Sequence, residues 1–331
     1  MSNKRNIGID ILKIISCLGV VVLHFIGRDS SELNRVLYYA VGFAIPSFFV
    51  VHGYFILNRK NNTIEYFCKR ILKMIYIAFL WTCIYDVVRL VTGHSMYNPI
   101  YETATAMFWQ KGTFYQFWFF GSLIILYMLT PVLSKQVQKK NIIFLIALII
   151  LCAVIDLIST RYALSYGRSV QEYVRQPLRL WTWVLYYYMG GLLRNLKIDI
   201  SVIRKTKMGT VPIIILLVCY EYFIGHRLCG IDLVEYFYDN LLMIGGVCAI
   251  FVVLSSVHIT NTKLIKVVNF ISPLIMGVYI LHIFFYRMIQ PFYGFEIPVL
   301  NVCLCICIFI TSLVATATIK KIPYIQKLVD L

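Results

Sequence analysis

The chain has 331 residues, of which 60% are hydrophobic and only 14% charged, with a mean hydropathy of +0.78. Soluble domains average roughly 45–50% apolar and about 25% charged residues, so this composition excludes an ordinary soluble globular protein. The net charge of +16 would suit a nucleic-acid partner, but its distribution along the chain has a different explanation.

Apolar runs of near-spanning length recur from end to end, which predicts an all-α polytopic membrane protein. Ten transmembrane helices are expected, at 9–27, 36–57, 69–91, 114–133, 141–160, 177–195, 210–226, 238–257, 268–289 and 297–318. Strict alternation over ten-residue segments is lacking, which argues against a β-barrel. The whole of 1–331 reads as a single integral-membrane domain with no appended soluble domain and no internal repeat.

Lysine and arginine set the expected orientation. Lys4 and Arg5, then Arg59, Lys60, Lys69, Arg70 and Lys73, then Lys135, Lys139 and Lys140 fall on alternate connections. So do Arg194, Lys197, Arg204, Lys205 and Lys207, then Lys263 and Lys266, and finally Lys320, Lys321 and Lys327. The other set of connections is sparser and includes Arg28. By the positive-inside rule both termini are cytoplasmic, and no nucleic acid is needed to account for the charge.

The first segment, IGIDILKIISCLGVVVLHF, carries Asp10, Lys13 and His24. Ionisable groups are costly at membrane depth and usually functional there. Eleven residues at ~100° each bring Lys13 and His24 back to one helix face, ~16 Å apart along the axis. Asp10 lies one turn before Lys13 on that face. A neutral imidazole in a partly dry cavity suits a general base, and Lys13 suits an anionic group. The alternatives are a histidine that merely bonds a neighbouring helix and a lysine that snorkels to the interface. Asp10 and Lys13 also interrupt the apolar run too early for a cleaved signal peptide.

The second segment holds IPSFFVVHGYFILNRK, in which Pro46 is expected to kink the helix and Gly53 to allow close approach. His52 sits among aromatics there and ranks below His24. The stretch NRKNNTIEYFCKRILK gathers Lys69, Arg70 and Lys73, which could hold phosphates or simply meet lipid headgroups. FYQFWFFGSLIILYMLTPVL has Gln116 and Trp118 at its entrance. The loop RYALSYGRSVQEYVRQPLRL interleaves Arg161, Arg168, Arg175 and Arg179 with Tyr162, Tyr166, Tyr173 and Trp181. It reads equally as a glycan site or as arginines bridged to Asp156 and Glu172. ISPLIMGVYILHIFFYRM places His282 within the ninth span. The ten cysteines form no C-x-x-C pair and read as small apolar residues, with neither disulfide framework nor metal site expected.

These motifs together resemble the membrane-bound acyltransferase 3 family of bacterial O-acyltransferases. The family's opening aspartate, basic residue and histidine match Asp10, Lys13 and His24; its FF-x-x-SGY element matches FFVVHGY, with His52 in place of serine. CKRILK, FWFFGSLIILYMLTPVL and VYILH follow in the family's order, with Gln116 where members often carry histidine. The resemblance implies transfer of an acetyl or related acyl group from acetyl-CoA at the cytoplasmic side to a hydroxyl of an envelope glycan. It implies catalytic roles for His24, Lys13 and Asp10, donor contacts at Lys69, Arg70 and Lys73, and substrate contacts at Arg175, Arg179, Trp118 and His282. It further implies the bacterial inner membrane, with self-association or glycan-assembly partners left open. The rival class is a small-molecule transporter or flippase on the same membrane domain, and an inactive scaffold is a third.

Overall fold

A computed structural model describes residues 5–26, 31–59, 62–196, 198–290 and 297–330. Lys4, Arg28, Lys60 and Lys197, all used in the charge asymmetry, lie outside the described residues. The described residues form helices and turns, with no strand among them. In chain order the helices are α1 (Ile7–Phe25), α2 (Glu32–Ala40), α3 (Ala44–Ile56), α4 (Ile64–Val91), α5 (Pro99–Trp109), α6 (Trp118–Gln138) and α7 (Ile142–Tyr166). They continue as α8 (Leu180–Asn195), α9 (Ile200–Cys219), α10 (Leu241–Ser255), α11 (Thr262–Ile271), α12 (Ile275–Ile289) and α13 (Pro298–Ile319).

Among the described residues, eight helical stretches are long and apolar enough to cross a membrane, where the sequence predicts ten. The segments predicted at 177–195 and 238–257 become α8 and α10, of only 16 and 15 residues. At 1.5 Å per residue they reach ~24 and ~22 Å, short of a hydrocarbon core of ~30 Å. Nearly all of α8 is buried within the protein, so its apolarity serves packing against other helices.

Two predicted spans are broken. The 36–57 segment divides into α2 and α3 around residues 41–43. Pro46 then falls in the first turn of α3, where an amide N–H has no intrahelical partner, so the break replaces the expected kink. The 268–289 segment divides into α11 and α12 at a 3-10 turn, Ser272–Leu274, with Pro273 near its start. Helix α5 falls between predicted spans; Asn98 caps it through bonds from the Ile100 and Tyr101 amides, and Pro99 opens it.

The tightest crossing is between α3 and α8. A Cβ on Gly53 would lie 1.7 Å from the Tyr187 carbonyl oxygen, and one on Gly190 would lie 1.9 Å from that of Val50. Backbone meets backbone from both sides, which only glycine permits. Gly53→Ala is therefore expected to destabilise the protein by about 1–3 kcal/mol, read as a lowered thermal midpoint of the purified protein in detergent.

Helix register arranges the site. Ala44 is level with Gly19 of α1, and Tyr54 packs at 5.4 Å on Phe251, near the α10 end that Asn6 reaches through Ser255. Helix α3 thus runs antiparallel to α1. Ser272 meets Asp10 and His282 meets His24, so α12 runs parallel to α1.

Candidate active site

The α1 face predicted from periodicity lines a cavity of ≈250 Å³. Lys13, Val20 and His24 form one wall; Ile45, Phe48, Val51 and His52 of α3 form a second. Gln116, Trp118 and Phe119 contribute from the entrance to α6, and Ser272, Pro273, Ile275, Met276 and Tyr279 from the α11–α12 elbow. Arg70 and Asp330 stand near the Lys13 end, where the side chains of Lys13 and Asp330 keep 27% and 48% of their exposure.

At that end Asp10 is buried and does not itself line the cavity. Its carboxylate pairs with the Lys13 ammonium at 2.5 Å and with the Arg5 guanidinium, and accepts from the Ser272 hydroxyl at 2.7 Å. Ion pairing fixes an otherwise flexible lysine, so Asp10 serves to aim Lys13. Asp330 is paired with Lys320 at 2.5 Å.

At the other end, His24 Nδ1 lies 2.8 Å from the Tyr115 hydroxyl, and the His24 and His282 rings stand 5.2 Å apart. The three histidines differ in their freedom. His52 Nδ1 is 2.8 Å from the Phe48 carbonyl and His282 Nδ1 is 3.1 Å from that of Val278. A carbonyl only accepts, so both Nδ1 atoms carry the proton and both Nε2 atoms keep a lone pair. A hydroxyl both donates and accepts, so Tyr115 accommodates either His24 tautomer. When His24 donates from Nδ1 to Tyr115, its Nε2 is a base.

Among the predicted site residues, Lys13, His24, Arg70 and Trp118 share the cavity wall. Asp10 sits behind Lys13, and His282 is buried behind His24 with Nε2 unpartnered. The remainder lie elsewhere. Lys69 pairs with Glu65 on an exposed surface, and Lys73 does not reach the cavity wall. Arg175 is exposed and also off the wall.

Arg179 is buried and donates to the carbonyls of Val174, Glu235 and Gln171 at 2.9, 2.9 and 2.8 Å. This guanidinium staples the loop to itself. Arg179→Met would leave three carbonyls without that donor, and unsatisfied buried groups cost roughly 1–3 kcal/mol each. The variant is expected to lose folded yield in size-exclusion chromatography, and any folded fraction to keep wild-type substrate affinity. Asp156 accepts from Asn240 and Glu172 accepts from the Ser169 amide. The bridges to loop arginines weighed from the sequence are not formed by these carboxylates among the described residues.

His52, Gln116, Tyr115 and Asp330 belong to the site as well. His52 and Gln116 were visible as departures from a motif; Asp330 carries no sequence signal. No group of three or more His, Cys, Asp or Glu side chains that could hold a metal gathers among the described residues.

A family model described as an acyltransferase domain matches residues 6–319, nearly the whole chain. No curated protein and no solved structure matches it.

Proposed function

Because the chain belongs to the acyltransferase 3 family, we propose that it moves an acetyl or other short acyl group from acyl-CoA to a hydroxyl of a cell-surface polysaccharide or its lipid-linked precursor. It does so in the bacterial cytoplasmic membrane, with both termini inside. The observation that carries this reading is the shared cavity of Lys13 and His24. A cationic rim and a histidine at the far end suit a thioester whose phosphates stay at the rim and whose carbonyl reaches the imidazole. The volume of ≈250 Å³ lies near the lower end of ligand sites, ~300–1,000 Å³, and favours a slender arm over a sugar ring.

In this mechanism the acceptor hydroxyl oxygen attacks the thioester carbonyl while His24 Nε2 takes its proton. The new C–O bond forms as the C–S bond breaks, and the proton passes from His24 to the departing thiolate. Tyr115 accepts from Nδ1 when the ring is in the basic tautomer, and Lys13 and Arg70 hold the donor's anionic end. Direct transfer requires the reacting atoms within ~3–3.5 Å.

The test is purified full-length protein in liposomes with acetyl-CoA and an envelope polysaccharide. Thiol release matched by acylated glycan in mass spectrometry is expected. Movement of a small substrate across the bilayer without thiol release would overturn the enzyme reading in favour of a transporter.

A further inference from the structure

Two polar groups on the cavity wall have no role in the mechanism above. Gln116 is 1% exposed, and both its amide oxygen and its amide nitrogen lack a hydrogen-bond partner. Its backbone carbonyl, by contrast, accepts from the Tyr279 hydroxyl, so the residue is held in place while its side chain is left unsatisfied. His52 offers a second group, an Nε2 lone pair fixed by the bond from Nδ1 to Phe48. Phe119 stands between them: its ring is 5.8 Å from the His52 ring, and it follows Gln116 by about one helical turn.

A buried polar side chain left unpaired costs roughly as much as the hydrogen bonds it forgoes, so the Gln116 carboxamide calls for a partner. A carboxamide presents one acceptor and two donors, which any group that both donates and accepts can meet, and a cavity of ≈250 Å³ favours the N–H and C=O groups of a slender amide-bearing arm over the hydroxyls of a sugar ring. An imidazole lone pair takes an N–H or O–H. Hydrocarbon, or the thioester sulfur itself, would satisfy neither.

We propose that Gln116 and His52 read the secondary amides of the donor's linker arm, so that this cavity selects an amide-bearing thioester. The inference rests on the donor reading above and adds the two residues that set specificity within it. Gln116 pairs with the amide nearer His24. His52, toward the Lys13 end, accepts from the next N–H along the arm. The histidine in place of serine in FFVVHGY extends an acceptor farther into the cavity than a hydroxyl would reach.

The experiment measures calorimetric affinity of the purified full-length protein for two probes, acetyl-CoA and 3′,5′-ADP, the latter carrying the anionic end without the amide arm. Gln116→Leu and His52→Phe are each expected to weaken acetyl-CoA roughly tenfold and leave 3′,5′-ADP unchanged. Unchanged nucleotide affinity also certifies that each variant is folded. His52→Gln, which keeps an acceptor, is expected to recover most of the loss. Equal weakening of both probes, or of neither, overturns the amide assignment while wild-type binding of acetyl-CoA leaves the donor reading standing. Failure of the wild-type protein to bind acetyl-CoA removes the donor reading itself.

Discussion

Acyl transfer by His24→Ala is expected to fall by at least ~10²–10⁴-fold, the range that a positioned general base contributes. The cavity wall carries a second histidine, but His52 cannot substitute. It lies toward the Lys13 end of the cavity, away from His24. His282 is nearer, with its ring 5.2 Å from that of His24, yet it is buried behind it and off the wall. Thiol release and glycan acylation should both disappear while acetyl-CoA affinity stays within about twofold, because the donor's charged end is held elsewhere. Tyr115→Phe provides the companion measurement. Losing the hydroxyl removes the hydrogen-bond partner of Nδ1 without removing the base, so the rate should fall by less and the pH–rate profile should shift. Near-normal transfer by a well-expressed His24→Ala protein would remove the histidine from the mechanism.

The second large effect is expected at Lys13. Lys13→Met should raise the dissociation constant for acetyl-CoA by roughly 10–100-fold, the scale of one charge-assisted hydrogen bond to phosphate. Because the Lys13 side chain retains 27% exposure, part of that difference should vanish at high salt. Lys69→Met serves as the contrast: Lys69 is paired with Glu65 and 74% exposed, so its removal should leave donor affinity unchanged. Equal losses in the two variants would indicate a diffuse basic surface in place of a defined rim.

The face shared by Lys13 and His24 could be read in advance because helical periodicity alone determines it, and α1 is regular from Ile7 to Phe25. The same spacing placed Asp10 one turn before Lys13, and the structure pairs the two. What periodicity cannot supply is which helix lies opposite. His52 and Gln116 joined the site through the antiparallel pairing of α3 with α1 and the short turn before α6, neither of which leaves a trace in local pattern. Arg179 misled for the same reason: a guanidinium among aromatics looks like a ligand clamp until three carbonyls from its own surroundings close on it. Ten predicted spans stand against eight stretches of spanning length among the described residues because apolarity has two causes. Helix α8 is apolar enough to be read as a span, but its neighbours in the structure are protein, and burial is what distinguishes it.

The glycine interlock of α3 with α8 has a mechanical consequence. Carbonyls seated directly against α-carbons leave no compressible side chain between the two rods, so the side of the chamber bearing Phe48 and His52 acts as a fixed anvil. Any dilation needed to admit or discharge a bulky guest falls to the other walls, the elbow of Ser272 and Pro273 among them. Since Ser272 grips the same carboxylate that steers Lys13, shifting that elbow would also loosen the footing of the cation guarding the doorway.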